Sequence, residues 1–387
     1  MRVRLYHTLP EEGRTSSEVY ARELASALER LPGSPVRVSH FESRGRLRRA
    51  FRRAAPLARV AGYVDRYVTY QWRARGDDAD ISHIVDHGYG HLAFSLDPGQ
   101  TVVTFHDAML LKIRAREIPL DAYPWFTILG HDLSLAAIRR ASRVIAVSRS
   151  SMGDLLRLTS VREERVRVVP NGVSERFLRA DAGEDRNTTF PGAGDRRAGP
   201  PASGPLRILH VGHCAPYKNI ETILRAIPAI CKRLGAPVVF IKVGGSFTQD
   251  QRALVGRLGI EERVEHLGTV PLEDLPGIYA RADLLLMPSL HEGFGLPALE
   301  AMACGTPVVV SNRGSLPEVV GDAGLLVEPH DIEGIARAAE RLTTDAALRT
   351  DLVRRGRERA RAFTWERTAR ETLAVYEELL REPAAPH

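Results

Sequence analysis

The sequence predicts an α/β protein with two Rossmann-like domains, each containing a doubly wound parallel sheet. Short apolar runs rich in β-branched residues alternate with amphipathic helical patterns along most of the 387 residues, which is typical of parallel βα units. A Gly/Pro-rich stretch interrupts this alternation near the middle of the chain. Because domains usually contain about 100–200 residues, we expect one domain on each side of that stretch.

The first half of the chain begins with a strand and a helix. Residues 2–6 (RVRLY) form a short apolar run, and residues 16–31 repeat apolar side chains at helical spacing. Further strand-like runs follow at 81–85, 101–105, 143–147 and 165–169. We therefore predict an N-terminal Rossmann-like domain over residues 1–180.

A flexible linker is predicted over residues 181–205, because this stretch contains five Gly, four Pro and a single large apolar residue, Phe190. The alternation then resumes, with strand-like runs at 206–211, 238–243, 283–289 and 307–311. We predict a C-terminal Rossmann-like domain over 206–365. A C-terminal helix over 366–387 follows, with a return to the N-terminal domain as one option.

Composition narrows the class of protein. Hydrophobic residues make up 44% and charged residues 26% of the chain, as in globular proteins. No run of 18 apolar residues exists to span a membrane, and the N-terminus lacks the apolar core of a signal peptide. The three scattered cysteines, Cys214, Cys231 and Cys304, fit a reducing compartment. We therefore expect a cytoplasmic protein.

The net charge of +6 comes from one segment. Arg44–Arg75 contains ten Arg and one Asp, so the rest of the chain carries about 6 − 9 = −3. A nucleic-acid-binding protein usually spreads its basic residues more widely, and we expect no nucleic-acid partner. The segment also contains Leu47, Phe51 and Trp72. It is either an Arg-rich pair of solvated helices or a basic amphipathic surface for an anionic membrane.

The segment 283–310 is the strongest candidate for a ligand site. A strand-like run is followed by a loop and a helix start that read Glu292, Gly293, Phe294, Gly295 and Leu296. Glycines let the backbone approach a ligand, and the free N–H groups of a helix start favour an anion. Glu292 and Glu300, eight positions apart, are suited to accept hydrogen bonds from sugar and ribose hydroxyls. A plain turn before a solvated helix is the alternative.

A second candidate loop follows the strand-like run 206–211. Gly212 comes directly after that run, and Lys218 precedes a helix that Asn219 is placed to cap. A lysine at such a position can hold a pyrophosphate by its charge. A surface lysine without a ligand is the alternative.

These segments together resemble the family 4 glycosyltransferases, which have the GT-B fold, and the match covers nearly the whole chain. The family's E-x7-E signature matches Glu292 to Glu300 in EGFGLPALEAMACGTPVV, and its donor-binding loop matches GHCAPYKN. Four further segments also match: TFHD (104–107), RVIAVS (143–148), VPNGV (169–173) and LPEVVGDAGLLVEP (316–329).

The resemblance implies a retaining transferase that needs no metal or other cofactor. It would move a hexose from a nucleotide diphosphate sugar to a glycan or lipid-linked acceptor, with GDP- and UDP-sugars, GDP-mannose among them, as donors. The C-terminal domain would hold the donor and the N-terminal domain the acceptor, across a cleft. A protein with a lipid-linked acceptor could work at the inner face of the membrane.

The resemblance also assigns roles to individual residues. Glu292 would contact the sugar hydroxyls, Glu300 the ribose, and Lys218 the diphosphate. The backbone of Phe294, Gly295 and Leu296 would face sugar and phosphates, His106 would lie near the reacting sugar, and the region of Gly13 corresponds to the glycine loop after the first strand. His213 stands where many members have Arg.

Other patterns allow other functions. A nucleotide-sugar-binding protein without turnover would share the same signatures. GYGHLA (88–93) and GFGLPA (293–298), with Arg313 downstream, fit a relaxed dinucleotide fingerprint and hence an NADP-dependent oxidoreductase. Asp78 and Asp80 have the D-x-D form of a metal site, although a solvated turn is also expected there. His83, His87 and His91 are four apart, but a strand and glycines should turn their rings away from each other.

Overall fold

The computed structural model describes residues 1–12, 15–34, 36–43, 45–51, 53–118, 125–179 and 204–381. Gly13 and residues 181–203 of the predicted linker lie outside the described residues. The chain divides into two compact units, one of Met1–Gly172 with Trp365–His387 and one of Val173–Thr364. Each contains one six-stranded parallel sheet, which confirms the predicted fold class.

The first unit has the strand order β2-β1-β3-β4-β5-β6. Its strands are β1 (Arg2–Tyr6), β2 (Arg37–Phe41), β3 (Ile81–Ile84), β4 (Thr101–Phe105), β5 (Arg143–Ala146) and β6 (Val166–Val168). Between them lie helices α1 (Thr15–Arg30), α2 (Arg46–Ala50), α3 (Ala55–Val64), α4 (Tyr70–Ala74), α5 (Met109–Arg114), α6 (Trp125–Ile138) and α7 (Arg149–Leu158). β3, β4 and β5 are buried along their whole length, as strands covered on both faces should be.

The second unit has the strand order β12-β11-β10-β7-β8-β9. Its strands are β7 (Leu206–Val211), β8 (Val238–Val243), β9 (Val264–Gly268), β10 (Leu284–Met287), β11 (Val308–Ser311) and β12 (Leu325–Val327). Its helices are α8 (Glu175–Arg179), α9 (Ile220–Leu234), α10 (Gln249–Leu258), α11 (Leu275–Arg281), α12 (Leu296–Ala303), α13 (Leu316–Val320), α14 (Ile332–Thr344) and α15 (Ala346–Arg361).

Residues 173–179 belong to the second unit, although the sequence predicts that the N-terminal domain extends to residue 180. Val173 donates its backbone N–H to Phe363, and Phe177 in α8 packs edge-on against Tyr279, with ring centroids 5.9 Å apart. These contacts hold the segment on the second sheet's side of the boundary.

The last helix, α16 (Trp365–Arg381), belongs to the first unit. Its Trp365 and Tyr376 are buried in one hydrophobic cluster with Leu24 and Leu28 of α1. His83 of β3 and the Tyr376 hydroxyl form a hydrogen bond of 2.6 Å. The last described helix therefore packs in the same hydrophobic core as the first helix of the chain. No helix among the described residues has the length and apolar character needed to cross a bilayer.

Candidate active site

The strand order of the second sheet reverses between β7 and β10. In doubly wound sheets, ligands bind beyond the carboxyl ends of the strands at such a point. β7 leads into Gly212 and a 3₁₀ turn, Pro216–Lys218, and β10 leads into the loop that carries Glu292. The backbone N–H of Leu290 donates to the carbonyl of Tyr217 at 2.7 Å. The two candidate loops are therefore in direct contact.

Lys218 and Glu292 form a buried ion pair at this point. The Lys218 Nζ donates to Glu292 Oε1 at 2.8 Å and to Oε2 at 3.0 Å, and both side chains are only about a tenth exposed. An ammonium has three N–H donors, so one remains for an incoming anion. Because separating this buried pair would leave an uncompensated charge, Glu292 holds the ammonium in place beside the loop.

The start of α12 supplies a second group of donors. Gly295 at the N-cap has φ 93° and ψ 45°, and a Cβ there would come within 2.6 Å of Leu316, so the position requires glycine. Pro297 lies in the first turn, where a missing N–H removes no hydrogen bond. Phe294 is buried and packs edge-on against Phe363, 5.8 Å away. This helix start is suited to an anion.

Glu300 lies one turn into α12, in a different environment from Glu292. Its Oε2 accepts a hydrogen bond from the Tyr279 hydroxyl at 2.7 Å. Burial among protein atoms raises the pKa of Glu300 to about 7, although Tyr279 and Arg176 act in the opposite direction. Burial also raises the pKa of Tyr279 well above its usual value, so the phenol remains a donor. Glu300 therefore titrates near neutral pH.

Asn219 occupies the N-cap position of α9 but does not cap it as predicted. Its side chain makes no hydrogen bond to the helix N–H groups: its Oδ1 accepts from the Thr222 hydroxyl at 2.7 Å. Its Nδ2 donates to the carbonyls of Pro288 and Pro329 at 3.0 and 2.7 Å. Its backbone has a left-handed φ of 56°. The side chain instead fixes the loop that follows β10. His213 is exposed and hydrogen-bonded to the Tyr217 hydroxyl at 2.9 Å.

A buried lysine beneath this loop was missed by the sequence analysis. The Nζ of Lys242, in β8, donates to the carbonyl of Val243 at 2.8 Å and to that of Gly212. Burial lowers the pKa of Lys242. Gly244 lies so close that a Cβ there would be 2.4 Å from the Gly212 oxygen. A lysine within the otherwise apolar run VVFIKV was the signal that could have revealed it.

The first unit places His106 directly after β4. Its Nε2 lies 2.7 Å from the Val85 carbonyl and must donate, because a carbonyl only accepts. No hydrogen bond to Nδ1 is found among the described residues, and this nitrogen is therefore an acceptor when the ring is neutral. Tyr20 packs edge-on against the ring at 4.9 Å and helps to fix its orientation.

The three histidines spaced four apart do not converge. His83 is hydrogen-bonded to Tyr376 and Thr104, whereas His91 is hydrogen-bonded to Ser134 and to the Arg66 carbonyl. His87 accepts a hydrogen bond from the His106 backbone. No cluster of three metal-ligating side chains occurs in the part of the chain that the structure describes.

The D-x-D residues and Arg313 form ion pairs, and the first fingerprint segment has a different local fold from the one expected. Asp78 and Asp80, just before β3, pair with Arg2 at 2.9 and 3.3 Å. Residues 88–93 form most of the 3₁₀ helix His87–Phe94, not a turn that opens an α-helix as the dinucleotide fingerprint requires. Arg313 pairs with Glu328 at 2.7 Å.

Two glycosyltransferase family models match the two halves of the chain. The model "Glycosyl transferases group 1" matches residues 194–359, and "Glycosyltransferase Family 4" matches residues 17–177. O-antigen chain mannosyltransferase B of Escherichia coli is 41% identical over 170 residues, 43% of this chain and 45% of that protein. D-inositol 3-phosphate glycosyltransferase of Salinispora tropica is 36% identical over 67% of this chain and 55% of its own length. The chain thus spans about half the length of these relatives.

Solved structures share the fold. Sucrose-phosphate synthase of Thermosynechococcus elongatus superposes with a TM-score of 0.71 at 23% identity, covering 98% of this chain and 99% of that one. Anabaena Alr3699/HepE in complex with UDP and glucose superposes with a TM-score of 0.69 at 19% identity, covering 98% and 100%.

Proposed function

Because the chain belongs to the group 1 glycosyl transferases of family 4, we propose that it transfers a hexose from a nucleotide diphosphate sugar to a glycan or lipid-linked acceptor. The observation that carries this proposal is the buried Lys218–Glu292 pair beside the start of α12. Lys218 offers a cation, Glu292 a carboxylate, and the start of α12 a set of N–H donors. A diphosphate is complementary to the cation and the N–H donors, and sugar hydroxyls are complementary to the carboxylate.

In this proposal the third N–H of Lys218 and the N–H groups of α12 bind the diphosphate. Glu292 keeps Lys218 in place and accepts hydrogen bonds from the sugar hydroxyls. Glu300 lies one turn farther along the same helix, where its carboxylate accepts from the ribose. HepE, with UDP and glucose bound, and the mannosyltransferase relative support UDP- or GDP-hexoses as donors.

The reaction that we propose retains the configuration at the sugar's anomeric carbon. The bond from that carbon to the diphosphate oxygen breaks, the acceptor oxygen attacks from the same face, and the acceptor proton passes to the leaving diphosphate. Electrostatic stabilisation of the leaving group is then the main demand, and Lys218 with the α12 start meets it without a divalent cation. The Nδ1 of His106 can accept a hydrogen bond from a reacting hydroxyl.

The test measures release of nucleoside diphosphate from UDP-glucose, UDP-N-acetylglucosamine and GDP-mannose with a panel of glycan and lipid-linked acceptors. We expect release with one donor, unchanged by EDTA, and an NMR spectrum that shows the donor's anomeric configuration in the product. Glu292→Gln should abolish release, whereas Glu262→Gln, at an exposed position of the same unit, should not. Tight donor binding without release in every mixture would favour a binding protein without turnover.

A further inference from the structure

A long apolar stripe lies exposed on the first unit. α3, a π-helical segment over Asp65–Thr69 and α4 follow one another without a break in helical backbone. Five apolar side chains at intervals of three or four residues are exposed along this rod: Leu57, Val60, Val64, Val68 and Trp72, with exposures of 54, 62, 36, 60 and 70%. That spacing places them on one face, over about 22 Å at 1.5 Å per residue.

Neighbouring helices extend the apolar surface. Leu47 and Phe51, in and just after α2, are also exposed. Helix α6 packs directly on the π-helical segment, because a Cβ at Gly130 of α6 would lie 2.2 Å from the Tyr67 hydroxyl. Leu129 of α6 is 60% exposed. Exposed apolar side chains gathered on one helix face and on the helices packed against it are typical of an interaction site.

Within residues 46–75, the exposed charge has one sign. The exposed arginines are Arg46, Arg49, Arg53, Arg59, Arg73 and Arg75. Arg49 pairs with Glu11, whereas Arg46, Arg53, Arg59 and Arg75 have no ion pair within the described residues. Asp65 is the one acidic residue between positions 45 and 75. It is buried, with its carboxylate accepting from the backbone N–H groups of Leu47 and Arg48.

In other helices, exposed arginines pair with carboxylates of the same helix. In α15, Arg354 pairs with Glu358, and in α16 Arg367 pairs with Glu371, each four residues apart. Such pairing neutralises a helix surface. The helices over residues 46–74 contain no exposed carboxylate, and Arg49 and Arg66 pair with Glu11 and Glu12 outside them. The charge of the four arginines without an ion pair is therefore available to an external partner.

We propose that this surface, residues 46–51 and 53–75 with the exposed Ile128, Leu129 and Leu133 of α6, docks the protein on a membrane that contains anionic lipids. The apolar stripe would enter the boundary between headgroups and acyl chains, while the arginines contact the headgroups. Trp72 is suited to this boundary because its ring is amphipathic. A second copy bound through residues 46–75 would set arginines against arginines, because Asp65, the acidic residue of that segment, is buried. The inference does not depend on the identity of the transferred sugar.

The experiment measures co-sedimentation of the full chain with vesicles of phosphatidylcholine alone and of phosphatidylcholine with 30% phosphatidylglycerol. We expect binding to the anionic vesicles that 0.5 M salt removes. The variant Arg53→Gln, Arg59→Gln, Arg75→Gln should bind roughly 100-fold more weakly, at about fivefold for each arginine. The matched control Arg225→Gln, Arg257→Gln, Arg361→Gln removes three exposed arginines from the second unit and should bind as wild type does.

The apolar stripe is tested separately. Val60→Ser with Val68→Ser should weaken vesicle binding about tenfold, with an unchanged melting temperature because both side chains are exposed. A vesicle-induced blue shift of tryptophan emission should disappear in Trp72→Phe. Equal vesicle binding by wild type and both sets of variants would overturn the proposal. So would a dimer in vesicle-free solution that the serine variants dissociate, because the surface would then bind a second copy.

Discussion

The carboxyl ends of the two sheets differ in the charge that they present. In the second unit, the ammonium groups of Lys218 and Lys242 lie at or beneath the loop after β7. In the first unit, histidines occupy the comparable region. His7 comes directly after β1 and His106 directly after β4. Burial lowers the pKa of His7 to about 4, so this ring is neutral at pH 7.

This difference indicates what each sheet edge can bind. Fixed positive charge with free backbone N–H groups is suited to phosphates, whereas neutral imidazoles offer single hydrogen bonds suited to hydroxyl groups. Two sheets of similar topology thus differ in ligand chemistry because of a few residues after their strands. If this difference decides ligand chemistry, diphosphate binding depends on the second unit alone.

The largest effect is expected from Lys218→Met. Removing the cation leaves the buried Glu292 carboxylate unpaired, which costs about 3–5 kcal/mol of stability, and it removes a stabilising charge from the leaving group, which lowers turnover about 10³-fold. Calorimetry and diphosphate release measure the two effects. The double variant Lys218→Met/Glu292→Gln should recover stability but not turnover. Lys232→Met, on the exposed face of α9, is the matched control, and full turnover in Lys218→Met would contradict the assignment.

The next largest effect, a loss of turnover, is expected from a variant of the first unit. His106→Phe removes the Nδ1 acceptor and should lower kcat about 10²-fold, while the Kd for nucleoside diphosphate changes by less than about twofold. Isothermal titration with UDP and GDP, alongside steady-state kinetics, separates these quantities. His330→Phe, at an exposed position of the second unit, should change neither. A parallel loss of diphosphate affinity in His106→Phe would show that the first unit also contributes to phosphate binding.

Much of the fold could be predicted because buried parallel strands are continuous apolar runs. Residues 101–105 and 206–211 were predicted as strands with the bounds that the structure gives. β2 was missed because it is an edge strand whose side chains are mostly exposed or half-exposed, so no apolar pattern marks it. The π-helical segment was also missed, since hydrophobic spacing alone does not separate one wide turn from an α-helix.

The candidate site could be predicted only in part. The spacing of Glu292 and Glu300 was visible in the sequence, but their different environments were not, because Tyr279 and Lys218 lie far from them along the chain. Asn219 was predicted as a helix cap from its position. The carbonyls of Pro288 and Pro329 that its amide binds come together only in the folded sheet.

A smaller effect is expected from Lys242→Gln. If a phosphate binds about 8 Å from the Lys242 Nζ, Coulomb's law at an effective dielectric constant near 20 gives about 2 kcal/mol, or roughly 30-fold in affinity. The Kd for the nucleoside diphosphate should rise by that factor, whereas the Kd for the matching nucleoside, which lacks phosphates, should not change. Lys232→Gln is the control. Equal losses for nucleoside and diphosphate would mean that Lys242 only maintains the loop.

The smallest effect is a pH dependence that arises from Glu300. With a pKa of about 7, its carboxylate is mostly protonated at pH 6 and mostly ionised at pH 8. The ionised form accepts stronger hydrogen bonds from ribose hydroxyls, so nucleotide affinity should rise by less than about tenfold over this range. Isothermal titration at several pH values should give an apparent pKa near 7 that is absent in Glu300→Gln and unchanged in Glu262→Gln.

The contribution of Glu300 to the free energy of unfolding should change with pH in the opposite direction to nucleotide affinity. The folded-state pKa of about 7 exceeds the ordinary value of 4.5, so between these values the folded chain holds a proton that the unfolded chain has lost. The contribution of Glu300 to stability therefore falls as pH rises from about 4.5 to 7. In melts without nucleotide, Glu300→Gln should lose less stability than wild type over this window. Identical pH profiles would mean that Glu300 is ionised throughout this window.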